Sequence, residues 1–296
     1  MTVAYQLECI SKVSNLLGES PIWHQQEKKL YWVDAIKPAL HALCPVSGKH
    51  QQWNMPALIG SIAPRKQGGL IAAIGCGIAF IDLPSGKVQM QRLINPPLSN
   101  KHLNDGKCDR QGRFWVGEVS HDKTKPSGKL YRFDGDGSLH VMGNNITLFN
   151  GPCWSPNADY FYYTDYFNGR YIFRYAFNTK QGTISDGQPF IPIAMNDRGI
   201  PDGCTVDSEG YLWSAKWDGY RISRYDPEGN LKMEISLPIQ RPTSCIFGGE
   251  NLDTLFVTSA SQDVGELTPL KDRDAGKVFA IKFAKLRGIA ETPFLG

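Results

Sequence analysis

The chain has 296 residues, of which 41% are hydrophobic and 11% aromatic, and its formal net charge is +3. That composition supplies a large core, and no stretch approaches the ~20 apolar residues of a membrane-spanning helix. The charge is slight and there is no Lys/Arg-rich run, which argues against nucleic acid or an anionic membrane as a partner.

The N-terminus, Met1-Thr-Val-Ala-Tyr-Gln, shows no charged segment followed by an apolar one, so no signal peptide is expected. Seven cysteines are present, none in a Cys-x-x-Cys pair. Cys108, Cys153, Cys204 and Cys245 fall within apolar runs and read as buried, reduced thiols acting as small hydrophobes, which fits a cytosolic protein. Asn145-Ile-Thr matches a glycosylation sequon that carries no meaning in that compartment.

The first predicted element is a strand within Gln6–Val13. A recurring frame follows: one leading residue, a short apolar run, a turn, then an aromatic strand. It opens with Glu19-Ser-Pro-Ile-Trp-His and returns at Gly60, at Asn104-Asp-Gly-Lys-Cys-Asp and at Asn150-Gly-Pro-Cys-Trp. It is clearest at Asp202-Gly-Cys-Thr-Val-Asp-Ser-Glu-Gly-Tyr-Leu-Trp and comes last at Thr243-Ser-Cys-Ile-Phe-Gly. The second run of each copy is aromatic and branched: Leu30–Asp34, Leu70–Ile74, Arg113–Gly117, Tyr160–Asp165, Tyr211–Ala215 and Thr254–Thr258. Such segments suit a pleated, buried surface. A third run follows at Leu40–Leu43, Ile78–Asp82, Lys129–Asp134, Tyr171–Tyr175, Arg221–Asp226 and Lys277–Ile281. Most of these end at turns such as Asp134-Gly-Asp-Gly or Asp226-Pro-Glu-Gly. A fourth, more polar run comes next, as at Gln51-Gln-Trp-Asn and Leu231-Lys-Met-Glu-Ile.

The leading residues recur at intervals of 41 to 52 positions. Periods of roughly 40–50 residues mark propeller blades or helical arrays. Pro and Gly punctuate every copy and no long segment keeps a 3.6-residue apolar period, which disfavours helices. Six repeats of four strands predict an all-β, six-bladed β-propeller with antiparallel blades around a central channel, as one domain over residues 1–296. The sixth repeat is short of a strand after Phe283. The N-terminal strand is expected to supply it and close the ring, with the tail from Gly288 to Phe294 as its competitor.

In a propeller the first strand of each blade runs beside the channel, so the leading residues share one depth. Polar groups there are costly to enclose unless something satisfies them. Asp-Gly and Asn-Gly are ordinary turn signals, but turn chemistry does not call for Glu19 before Ser20-Pro21 or Pro201 before Asp202. Carboxylates and neutral oxygens make a hard-oxygen site suited to Ca²⁺, Mg²⁺ or Mn²⁺, and Zn²⁺ or Fe²⁺ can occupy such ligands. The six histidines are scattered without zinc-ligand spacing. No Gly-x-Ser-x-Gly elbow is present. A cation held by few protein groups keeps open positions for water and substrate, and can polarise a carbonyl and lower the pKa of a bound water. Gly60 and Thr243 are expected to leave room for a substrate on the other side.

Gly18-Glu-Ser-Pro-Ile-Trp, Leu103-Asn-Asp-Gly-Lys-Cys-Asp-x-x-Gly-Arg-Phe-Trp-Val-Gly, Asn150-Gly-Pro, Pro201-Asp-Gly-Cys-Thr-Val-Asp-Ser-Glu-Gly-Tyr-Leu-Trp and Thr243-Ser-Cys-x-Phe-Gly-Gly resemble the regucalcin (senescence marker protein)/gluconolactonase family. The resemblance runs from about Leu17 to Ala260 with every block in order and is nearest to the bacterial sugar lactonases. It implies a metal-dependent hydrolase that opens aldonolactones such as glucono-, xylono- or arabinonolactone. It implies one divalent metal ion, Ca²⁺ first among Zn²⁺, Mn²⁺, Mg²⁺ and Fe²⁺, with Glu19, Asn150 and Asp202 as ligands. Asp202 would also be the general base for the attacking water. Asn104 resembles the residue that binds substrate beside the metal. His102 stands where many members have Arg, and a shorter donor reaches less far. Glu118 stands where some members have a small residue; it reaches the sugar or is a solvated loop residue. Substrate choice is expected to depend on His102, Glu118 and the stretch 121–128.

The implied partner is a small-molecule sugar lactone, with no nucleic acid and no membrane, and the chain is expected to be a monomer or weak homo-oligomer. Two other readings share the scaffold: a non-catalytic calcium-binding or protein-interaction propeller, and a metal-dependent esterase or organophosphate hydrolase.

Overall fold

The computed structural model describes residues 3–95, 101–120, 122, 125–165, 167, 171–262 and 272–296. Among these residues every regular element is a strand and there is no helix. The first strand is β1 (Tyr5–Cys9). Blade one is β2 (Gly18–His24), β3 (Lys29–Asp34), β4 (Ala39–Leu43) and β5 (His50–Asn54). Blade two is β6 (Ile59–Pro64), β7 (Leu70–Ile74), β8 (Gly77–Ile81) and β9 (Val88–Leu93). Blade three is β10 (Lys101–Cys108), β11 (Phe114–Ser120), β12 (Gly128–Phe133) and β13 (Leu139–Ile146). Blade four is β14 (Asn150–Trp154), β15 (Tyr160–Asp165), β16 (Tyr171–Asn178) and β17 (Thr183–Pro192). Blade five is β18 (Ile200–Val206), β19 (Leu212–Trp217), β20 (Arg221–Tyr225) and β21 (Leu231–Ser236). Blade six has β22 (Pro242–Gly248), β23 (Thr254–Ser259) and β24 (Phe279–Phe283), and β1 completes it in the order β1-β24-β23-β22. These six four-stranded antiparallel sheets are the blades of a six-bladed β-propeller.

The N-terminal strand therefore takes the place expected of it. Tyr5 pairs with Phe283 and Cys9 with Phe279. The competing tail does something else: Gly288 bridges to Asp207. The third run of the sixth repeat is expected from Lys277, but β24 begins at Phe279.

The chain divides into two compact units. One spans Met1–Trp53 and Met195–Ala290, and so holds blades five, six and one; the other spans Asn54–Ala194 and Glu291–Gly296, and holds blades two, three and four. In the first unit β18, β22 and β2 lie side by side, and in the second β6, β10 and β14 do. Each unit thus presents three leading strands as neighbours.

The core of each unit is built from facing blade surfaces. Trp213, Phe247, Phe279 and Phe283 pack together in the first. Trp115, Phe149, Trp154 and Phe161 do so in the second. The tryptophans of the second strands, Trp32, Trp115 and Trp213, are all fully buried. A buried indole N–H needs an acceptor. Trp115 Nε1 donates to Asp109 Oδ2 and Trp213 Nε1 to Asp207 Oδ2, each at 2.9 Å. Those aspartates follow the apolar run of the frame. Their other oxygens accept the N–H groups of the turn that leads into the second strand, from Gln111 and Arg113 in one case and Glu209 and Tyr211 in the other. The Asp-x-x-Gly-x-x-Trp spacing thus has one physical cause: a single carboxylate closes the turn and satisfies the core indole.

All seven cysteines are free, and Cys108, Cys153, Cys204 and Cys245 are buried, as expected of small hydrophobes. No helix of the described residues is long and apolar enough to cross a membrane.

Candidate functional site

Each leading residue sits at a break in the sheet register. From Glu19 to Ile22 the inner strand advances three residues while its partner moves from Val33 to Tyr31, two residues. The same single-residue excess occurs at Ile59–Ser61, Leu103–Gly106, Asn150–Cys153, Pro201–Cys204 and Pro242–Ser244. A β-bulge unpairs one residue and re-aims its side chain, and bulges concentrate beside active sites. The frame that begins with a changing residue is therefore a repeated bulge. Two of these bulges use left-handed backbone directly after the leading residue: Ser20 at φ 47° and Gly151 at φ 62°.

In the second unit, Asn104 and Asn150 come together. Asn104 Nδ2 donates to Asn150 Oδ1 at 2.6 Å and to the carbonyl of Phe149 at 2.8 Å. Asp105 accepts from Gly106 N–H through Oδ1 and from Gly151 N–H through Oδ2, each at 2.7 Å. Burial pushes its carboxyl pKa up, partly offset by Lys107 and by these two N–H groups. Ser61 Oγ donates to the carbonyl of Asn104 at 2.9 Å.

In the first unit, Asp202 is 7% exposed, between Pro201, which pairs with Lys216, and Cys204, which pairs with Ser214. A side chain on Gly203 would meet Ser244 Oγ at 2.1 Å, so glycine there lets β18 and β22 approach. Glu19 is half-buried, and its Oε2 accepts the N–H of Ser20 at 3.3 Å.

Two expectations about the leading residues are corrected. A Cβ on Gly60 would meet the carbonyl oxygens of Leu103 and Asn104 at 2.5 and 2.6 Å. Gly60 therefore exists for close backbone packing and does not open space for a ligand. Thr243 is fully buried, and its hydroxyl bonds the Gly18 carbonyl and the Thr258 hydroxyl; it is part of the wall.

Of the residues expected to face substrate, His102 is half-buried on β10 opposite Val119. Glu118 is a strand residue on β11, only 1% exposed, and so is not a solvated loop residue. Its Oε1 accepts from Asn95 Nδ2 at 2.8 Å and Tyr131 O–H at 3.1 Å. Its Oε2 accepts the N–H of Lys129 at 2.8 Å and lies 3.9 Å from Lys101 Nζ. In the stretch 121–128, residues 121, 123 and 124 lie outside the described residues. Asp105 is a further element of the site that the repeat pattern does not single out. Its only signal is that Asp105-Gly106 lies inside a strand frame, where a turn dipeptide has no turn to make.

The chain is similar to known proteins over nearly its whole length. The family model described as SMP-30/gluconolactonase/LRE-like region matches residues 17–261. A 6-deoxy-6-sulfogluconolactonase from Pseudomonas putida is 35% identical over 98% of this chain and 99% of its own. A pentonolactonase from Haloferax volcanii is 32% identical over 90% of this chain and 91% of its own. The crystal structure of a calcium-binding protein, regucalcin, from Agrobacterium tumefaciens superposes with a TM-score of 0.91 at 23% identity, covering 97% of this chain and 96% of that one. The fold, the ordered blocks of the frame and the full-length likeness together make this chain a member of the SMP-30/gluconolactonase/LRE-like family.

Proposed function

We propose that the protein is a sugar lactonase that hydrolyses aldonolactones to aldonic acids with the help of one divalent cation. What carries the reading is the full-length likeness to two relatives named for lactone substrates. The polar leading residues at the inner-strand bulges support it.

Glu19, Asn150 and Asp202 are the proposed ligands. The donor chemistry fits a hard cation, since it consists of two carboxylates and an amide oxygen. Among the described residues no three His, Cys, Asp or Glu gather as a ready-made ion site. The proposed set accordingly needs the Asn150 oxygen, and that oxygen is the atom Asn104 orients. Ca²⁺ suits these ligands, and Mg²⁺, Mn²⁺, Zn²⁺ and Fe²⁺ are the other candidates. When bound, such a cation polarises the lactone carbonyl and stabilises the negative charge that develops on its oxygen.

The chain's own residues do the rest. Asp202 accepts a proton from the attacking water as the water oxygen bonds to the carbonyl carbon. The bond from that carbon to the ring oxygen then breaks, and the ring oxygen takes up the proton held by Asp202 to leave as a hydroxyl, which restores the carboxylate. Asn104 spends both amide hydrogens on Phe149 and Asn150, so its Oδ1 is the atom it offers to a sugar hydroxyl. His102, two residues earlier, is the proposed donor to the sugar. Glu118 is proposed to steady β11 and β12 next to β10, since its Oε2 accepts from Lys129 N–H and lies 3.9 Å from Lys101 Nζ.

A pH-indicator assay against sugar lactones, aliphatic lactones and aryl esters tests the reading. Preferred turnover of aldonolactones is expected; activity confined to aryl esters would replace it.

A further inference from the structure

Asp105 is a buried carboxylate at the bulge of blade three that the chemistry above leaves unused. It is 9% exposed, and both of its oxygens are spent on backbone N–H groups. One of these belongs to Gly151, in the neighbouring blade and directly after Asn150. The β14–β15 ladder breaks its register between Asn150 and Cys153, so the N–H of Gly151 falls where regular pairing is interrupted. A buried N–H without a ladder partner needs an acceptor from elsewhere. Asp105 supplies it across the gap between blades.

Its neighbour acts on the same segment. Asn104 donates to the Phe149 carbonyl and to Asn150 Oδ1. Two adjacent side chains of β10 thus grip three successive residues, 149 to 151. Asn104 fixes the backbone before Asn150 together with its side-chain amide, and Asp105 fixes the backbone after it. We infer that Asp105 is a positioning residue for Asn150: it locks the left-handed turn at Gly151 so that the Asn150 amide oxygen is presented in one orientation. The inference rests on the proposed role of Asn150 as a cation ligand.

A carboxylate is required here for a chemical reason. Two N–H groups converge on it, one per oxygen. An asparagine has one oxygen and one NH₂, and would turn a donor against one of the two N–H groups. Asp105→Asn is therefore nearly isosteric yet breaks the grip. Partners that orient a ligand commonly change metal affinity 10–100-fold when altered.

The test is isothermal titration of CaCl₂ and MnCl₂ into wild type and Asp105→Asn, with steady-state kinetics at saturating ion and amide exchange of wild-type Gly151 with and without ion. The expected result is a cation Kd raised about 10–100-fold in the variant, while kcat and KM for the lactone at saturating ion stay within about threefold. Exchange at Gly151 should slow at least about tenfold on adding ion, since ligation stabilises the closed turn. An unchanged Kd in a folded variant overturns the inference. If the variant does not fold, exchange at wild-type Gly151 that ignores the ion overturns it. Wild type that binds no divalent ion overturns the cation reading itself, and that failure appears before any substitution is made.

Discussion

Asn104 donates to Asn150 Oδ1 at 2.6 Å, so the leading residues of two neighbouring blades are hydrogen-bonded to each other. The bond links a residue proposed to face substrate with one proposed to hold the cation. Replacing Asn104 with Leu removes both donors to blade four and leaves the Phe149 carbonyl unsatisfied. The expected outcome is a loss of about 1–3 kcal/mol of stability, a higher KM and weaker cation binding together. A KM change with no change in cation affinity would show that the bond does not orient Asn150.

Asp202→Asn keeps the size of the side chain at a 7%-exposed position but removes the base. Turnover is expected to fall by about 10²–10⁴-fold, with a thermal midpoint within a few degrees of wild type. Near-normal kcat in this variant would assign the proton transfer to another group.

Glu118→Ala separates a buried structural role from a direct contact with the sugar. The side chain accepts from Asn95, Lys129 and Tyr131, and is buried. Its loss orphans several donors, and urea unfolding should report about 2–4 kcal/mol of destabilisation. KM at a temperature where the variant is folded should stay within about twofold. A tenfold rise in KM would mean that Glu118 touches the sugar directly.

Asp207→Ala addresses the scaffold. Asp207 is fully buried and bonds Trp213 Nε1 and the guanidinium of Arg224 at once. Removing it strands a largely buried charge, for which about 3–5 kcal/mol is typical. Chemical denaturation measures this, and a cost under about 1 kcal/mol would show that Glu209 alone satisfies Arg224.

Blade one predicts an acid sensitivity. His41 is 2% exposed, stacks on Trp32 with ring centroids 5.0 Å apart, and lies 3.2 Å from His50. Burial first, and then His50, bring its pKa down to about 4. The folded value lies below the unfolded one, so below pH ~6.5 the unfolded state binds more protons. Stability is fully present above that pH and is lost as pH falls toward 4, by about 3 kcal/mol for this one group. His41→Phe should flatten the stability curve between pH 6.5 and 4; an unchanged slope would place the acid sensitivity elsewhere.

Much of the fold was legible in the sequence because the frame repeats. An aromatic second strand, a polar fourth strand and the Asp-x-x-Gly turn recur, and each has a local cause visible in composition. Trp115 and Trp213 lie where that frame puts them, and the unpaired N-terminal segment fits the incomplete sixth blade. The bulge at the leading residue was not legible. One extra residue in a strand disturbs alternation only over Asn104-Asp-Gly, and those letters already read as a turn. The roles of Gly60 and Thr243 depend on backbone from another blade, at Asn104 and Gly18, which no local pattern encodes. Glu118 reads in the sequence either as a sugar contact or as a solvated loop residue, and its buried setting is not visible there because its partners Asn95, Lys129 and Tyr131 are distant in sequence by 11 residues or more. Asp105 was hidden by the same logic, since its partner Gly151 is 46 residues away.

The most direct measurement of the central claim is aldonolactone hydrolysis by exhaustively chelated protein, followed through stepwise return of a divalent ion with a pH indicator. Loss of catalysis above the spontaneous rate, and its recovery at an ion concentration matching the Kd from titration, is the predicted result. Full activity in the ion-free protein would contradict it.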